Sequence, residues 1–179
     1  MTRDRDRAGR PRNARPRDAL GRPLDRAGSD DGESAGEARI PDDLALAGPE
    51  AARLADQLLR AGRPFHAHEV LEAAWKTGPA GERDLWQGLA QVAVGLTHAL
   101  RGNARGAAAL LRRGGRRVRE YQDAYQDQAG SPSGRDRPYG IDLAAFLTAS
   151  DDLAERIERH GLADIPAADL RPGLTTGVS

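Results

Sequence analysis

The stretch ERDLWQGLAQVAVGLTHALRG, residues 82–102, decides the architecture. From Leu89 to Leu96 it is apolar on nearly every side when wound as a helix, and a helix with no polar face belongs at the centre of a bundle. One stripe, Leu85, Leu89, Val92 and Leu96, is wholly apolar. The opposite stripe, Gln87, Gln91, Val94 and His98, carries two amides and an imidazole into the same environment. Buried polar groups need partners, so this stripe predicts a second polar face packed against it.

Amphipathic helices flank the central one. PEAARLADQLLRAG (49–62) has Pro49 near its start and Gly62 at its end, with Leu54, Leu58 and Ala61 along one stripe. PFHAHEVLEAAWK (64–76) opens with Pro64 and stops before TGPAG. Downstream, a helix from Asn103 to about Gln128 carries the stripe Ala107, Leu111, Gly114, Val118, Tyr121 and Tyr125. GSPSGRDRPYG (130–140) reads as a loop. IDLAAFLTASDDLAERIERHG (141–161) is a fifth helix with Leu143, Leu147, Ala154 and Ile157 inward and Asp142 as its cap. The segment DIPAADLRPGLTTGVS (164–179) is expected to pack in part and then fray. No stretch alternates with period two over a strand's length, so the class is all-α, a compact multihelical bundle of about five helices.

A faint repeat runs through it. GRPFHAHEVLEAAW from Gly62 and GNARGAAALLRRGG from Gly102 each place a small residue five positions after the glycine (Ala67, Ala107) and a leucine four later (Leu71, Leu111). Such spacing occurs in tetratricopeptide-like helical hairpins and predicts two stacked αα-hairpins, too few for a self-sufficient array.

Composition sets the outer bounds. The 27 basic and 27 acidic residues balance, and Lys76 is the only lysine, the usage of a GC-rich bacterial genome. With no cysteine, disulfides, thiolate nucleophiles and Cys-zinc sites are excluded. No apolar leader and no run near the length of a spanning helix are visible, which predicts a soluble cytoplasmic protein without a membrane partner. Residues 1–40 carry almost no large apolar side chains and read as a disordered tail, followed by a helical domain over 41–165 and a C-terminal tail over 166–179. Residues 1–26 hold nine Arg against four Asp, where a nucleic-acid partner would bind, although no aromatic residues interleave the charges. Arg105, Arg112, Arg116 and Arg119 form a second basic ridge opposite the apolar stripe of their helix. Nothing in the composition opposes a homo-oligomer.

The candidate chemistry lies in FHAHEVLEAAW, residues 65–75, which holds two of the four histidines. Around the helix axis Glu72 lies about 40° from His68 and Trp75 about 20° the other way. His68 and Glu72 therefore share the face that Phe65, Leu71 and Trp75 mark as inward, with Glu69 and His66 on its flanks and His66 expected at the rim. Trp75 and Trp86 read as core anchors. Facing the Gln87–Gln91–His98 stripe, these residues would line a polar pocket of His68, Glu69, Glu72, Gln87, Gln91 and His98. Three readings stay open: a satisfied hydrogen-bond network that fixes register, a small-molecule or acid–base site, and a divalent metal held by His68, Glu72 and His98. A metal-dependent or acid–base hydrolase would be the enzymatic form. An interaction module, using hairpin surfaces or the Arg-rich tail, is the alternative.

These residues also carry a resemblance. His68, Glu69, Glu72 and Trp75, followed by Gln87, Gly88, Leu89, Gln91, His98, Arg101, Gly102, Asn103, Gly106 and Ala107, resemble the hallmarks of the family known as domain of unknown function 309, over roughly residues 50–120. GRPRNARPRDALGRPL (9–24) is similar to an N-terminal extension of some members. The resemblance implies a compact multihelical fold and no particular activity.

Overall fold

The computed structural model describes residues 46–127 and 137–175, with side chains at all of these except 125–127. The expected tail over 1–40 and most of the 130–140 loop lie outside the described residues, as does the side chain of Tyr125. Five helices follow in chain order: α1 (Gly48–Arg60), α2 (Pro64–Thr77), α3 (Arg83–Leu100), α4 (Ala104–Asp127) and α5 (Leu143–His160). Short 3-10 turns at Ala80–Glu82 and Pro138–Gly140 precede α3 and α5, and no strand occurs among the described residues. Each helix packs chiefly on the next, α1 on α2, α2 on α3, α3 on α4 and α4 on α5. No helix among the described residues is long and apolar enough to cross a membrane.

The central position of α3 follows from its sequence: Leu85, Trp86, Leu89, Val92, Ala93 and Leu96 are all buried. Its tightest neighbour is α4, because glycines remove the side chains that would hold the axes apart. A Cβ on Gly88 would lie 2.9 Å from the Gly114 carbonyl oxygen, and one on Gly114 would lie 2.6 Å from that of Gly88. Further along, Gly95 of α3 meets Ala107, Leu110 and Leu111, which makes the pair antiparallel. The α4 stripe Ala107, Leu111, Gly114, Val118 and Tyr121 is buried against α3 as expected.

The two glycine-led repeats end α1 and α3 in the same way. Gly62 and Gly102 have φ of 72° and 79°, the left-handed conformation that ends a helix. At the first, Arg63 N–H reaches the Leu58 carbonyl; at the second, Asn103 N–H reaches that of His98. Ala67, Leu71, Ala107 and Leu111 are fully buried. The shared spacing therefore serves one repeated turn-and-pack device.

Two readings of helix faces need correction. In α1 the buried residues are Ala51, Ala52, Ala55, Asp56 and Leu59, while Leu54 and Leu58 are half-buried and Ala61 is exposed. Alanines face inward because they let α1 lie close to α2; the larger leucines cover the edge. In α2 the deep face is Ala67, Val70, Leu71 and Ala74, with His66 beside them at 4% exposure rather than at the rim. Phe65 and Trp75 are only half-buried, so the aromatics mark a flank of α2. Trp86 is the core anchor: its ring stacks on Tyr139 at 5.4 Å and its N–H donates to Glu82 at 3.0 Å.

Asp142 caps α5 by accepting from Ala145 N–H at 3.0 Å. Beyond α5 the chain returns to α1, where Leu170 and Leu174 are buried. Asp56, at 9% exposure, accepts from the backbone N–H groups of Leu174 (2.6 Å) and Thr175 (3.0 Å) and from Arg60 (2.9 Å). Arg60 also donates to the Thr175 carbonyl. This latch gives the C-terminal segment a fixed seat.

Candidate functional site

The half-buried flank of α2 and the polar stripe of α3 face one hollow of about 320 Å³. Its lining is His68, Glu72 and Trp75 from α2, Gln87, Ala90, Gln91 and Val94 from α3, and Leu110 and Arg117 from α4. Four of the six expected pocket residues are thus together: His68, Glu72, Gln87 and Gln91. Trp75 is a wall of the hollow rather than a core anchor.

Glu69 is half-buried on α2 and does not line the hollow. His98 does not reach it either. It lies on the same angular stripe as Gln91 but seven residues on, about 10 Å further along the axis, at the end of α3. There Asn103 caps α4: its Oδ1 accepts from Gly106 N–H at 2.9 Å, so its amide nitrogen must be the group 2.9 Å from His98 Nδ1. The imidazole accepts at Nδ1, and the His-x-x-Arg-Gly-Asn-x-x-Gly pattern becomes a turn motif. Asn103→Ala is expected to cost about 1 kcal/mol of stability in chemical denaturation.

The metal reading therefore loses its third ligand. Among the described residues no group of three or more His, Asp or Glu side chains could hold a metal ion. The remaining pair is itself loose. His68 Nε2 stands 3.7 Å from a Glu72 oxygen, beyond hydrogen-bond reach, while Lys76 takes the other oxygen at 2.7 Å. Burial pushes the His68 imidazole below its ordinary value and the Lys76 charge adds to this, against the opposing pull of Glu72. Burial thus favours the neutral ring.

Two polar atoms in this lining are unsatisfied. His68 Nδ1 and Gln91 Oε1 are shielded from water and have no hydrogen-bond partner among the described residues. Elsewhere Asp56 and Thr97 are bonded, while Ser150 Oγ on α5 is also buried without a hydrogen-bond partner among the described residues. A satisfied network that fixes register would not leave these two groups open, since each such group costs about 1–3 kcal/mol.

Arg117 is the residue that sequence reasoning missed. Its guanidinium donates to the Gln87 side-chain oxygen through Nη1 and lies 3.7 Å from the half-exposed Asp84. The available signal was its seven-residue spacing from Leu110, which puts both on the flank of α4 turned toward Gln87. The predicted basic ridge has a different fate. Arg112 and Arg119 cross to α5, where Arg112 meets Glu158 at 3.0 Å and Arg119 binds Asp151. Arg105 and Arg116 remain exposed, so half of the ridge is an α4–α5 ion-pair seam.

Residues 53–110 match the family model for a domain of unknown function, DUF309. The matched segment runs from within α1 into the first half of α4, and includes both polar faces of the hollow and the His98–Asn103 turn. Arg117 lies beyond it. No curated protein and no solved structure matches the chain.

Proposed function

We propose that the hollow between α2, α3 and α4 is the binding site for a small organic molecule. The observation that carries this reading is the unpaired state of the His68 and Gln91 polar atoms in a lining that sets Trp75, Ala90, Val94 and Leu110 beside Glu72, Gln87 and Arg117. Small-molecule sites are concave and mostly apolar, with a few polar groups that orient the ligand. Groups that weaken the free protein and lack internal partners are what a ligand-binding seam leaves behind. The 3.7 Å gap between His68 and Glu72 and the commitment of Glu72 to Lys76 favour binding over proton transfer.

Gln91→Leu separates this from a structural role. It removes an amide whose oxygen has no hydrogen-bond partner among the described residues, so stability is expected to hold or to rise by about 1 kcal/mol. In a ligand-observed magnetic-resonance fragment screen, the same variant is expected to lose the compounds that the unaltered chain binds. A variant that is destabilised by more than about 1 kcal/mol and still binds every fragment would return Gln91 to a structural role.

A further inference from the structure

We infer that the ligand of this hollow is a small monocarboxylate with an apolar body, its carboxylate received by Arg117. The inference rests on the proposed binding site and adds the chemical class. Arg117 is the one cationic side chain in the lining, and its bonding leaves it able to take an anion. Gln87, a neutral partner, holds Nη1; Asp84, at 3.7 Å and half-exposed, neutralises the charge weakly; Nη2 has no hydrogen-bond or ion partner among the described residues. With Nη1 held by Gln87 and Nε facing Asp84 at 3.7 Å, Nη2 is the donor left for a carboxylate oxygen, in a charge-assisted bond whose direction the fixed guanidinium plane sets.

The opposite wall limits the charge of the ligand. Glu72 lines the same hollow from α2 and is only partly balanced by Lys76, whose side chain is 56% exposed. A second negative charge on the ligand would meet the Glu72 carboxylate in a partly desolvated space, so a phosphate dianion is disfavoured against a monoanion. Trp75, Val94 and Leu110 supply contact for an aromatic or branched apolar body, and the Gln91 amide and neutral His68 ring can turn to meet one polar substituent.

The test is titration of the full chain with benzoate, benzamide and inorganic phosphate, followed through the Trp75 indole and Gln91 side-chain amide resonances. Benzoate is expected to shift both signals saturably and to bind at least tenfold more tightly than benzamide. Arg117→Gln should remove at least tenfold of that affinity, and Arg117→Lys, which keeps the charge and loses the fork, should fall between. Equal binding of benzamide and benzoate would overturn the carboxylate assignment and leave the binding site standing. Phosphate displacing benzoate at equal concentration would also overturn it. Failure of benzoate, benzamide and a neutral fragment set alike to move either signal would remove the site itself.

Discussion

Gly114→Ala is expected to destabilise the protein by about 1–3 kcal/mol, even though alanine in a helix interior gains about 1 kcal/mol over glycine. The added methyl would sit 2.6 Å from the Gly88 carbonyl oxygen and 2.9 Å from the Val92 backbone nitrogen, so α3 and α4 must separate along their whole contact. Backbone atoms cannot rotate away as a side-chain tip can. The next residue provides the control. A Cβ on Gly115 meets nothing closer than 3.6 Å, an ordinary contact with the Arg119 side chain. Gly115→Ala is therefore expected to be neutral or stabilising by up to about 1 kcal/mol. Chemical denaturation of the two variants side by side checks the pair, and the same sign for both would contradict the close crossing of α3 and α4.

The second large effect is expected at Asp56. Its replacement by Ala strands the buried N–H groups of Leu174 and Thr175 and the Arg60 guanidinium, and bonds to a charged acceptor are worth about 1.5–3 kcal/mol each before relaxation. A loss of about 2–4 kcal/mol is expected, with amide exchange at Leu174 accelerated before that of α3. The latch also predicts an acid response. Burial alone would raise the Asp56 carboxyl, but hydrogen bonds from Arg60, Thr175 and Leu174 and the Arg60 charge outweigh it and hold the group below its ordinary value. A carboxyl depressed in the folded state contributes stability that is complete above its unfolded value of about 3.9 and lost as pH falls through the folded one. Exchange at Leu174 and Thr175 should therefore rise below about pH 4 in the unaltered chain, and Asp56→Asn should flatten that dependence. An unchanged pH profile in Asp56→Asn would show that another group holds the segment.

Angular position was legible in the residues. The 3.6-residue period put Gln87 and Gln91 on one side of α3 and His68 and Glu72 together on α2, and these four do share one hollow. The same arithmetic grouped His98 with them, because period specifies direction around an axis and says nothing of which neighbour stands at a given height along it. Asp56 shows the complementary gap. A carboxylate between Ala52 and Leu59 on a buried stripe is a visible anomaly, but its partners are backbone N–H groups more than a hundred residues away. Arg112 and Arg119 likewise read as a solvated basic face until α5 brings Asp151 and Glu158 against them.

What the chain determined by itself was local: which segments wind into helices, where Gly62 and Gly102 stop them, and that α3, apolar on nearly every side from Leu89 to Leu96, must be enclosed. These depend on backbone conformation and on the cost of exposing apolar surface, both written within a few turns of sequence. Tertiary packing alone decided which polar groups found partners. Asp56 gained the backbone donors of Leu174 and Thr175, and Gln91 and His68 were left open beside Arg117. Hydrogen bonding requires contact within about 3 Å, and only the assembled helices set distances that fine.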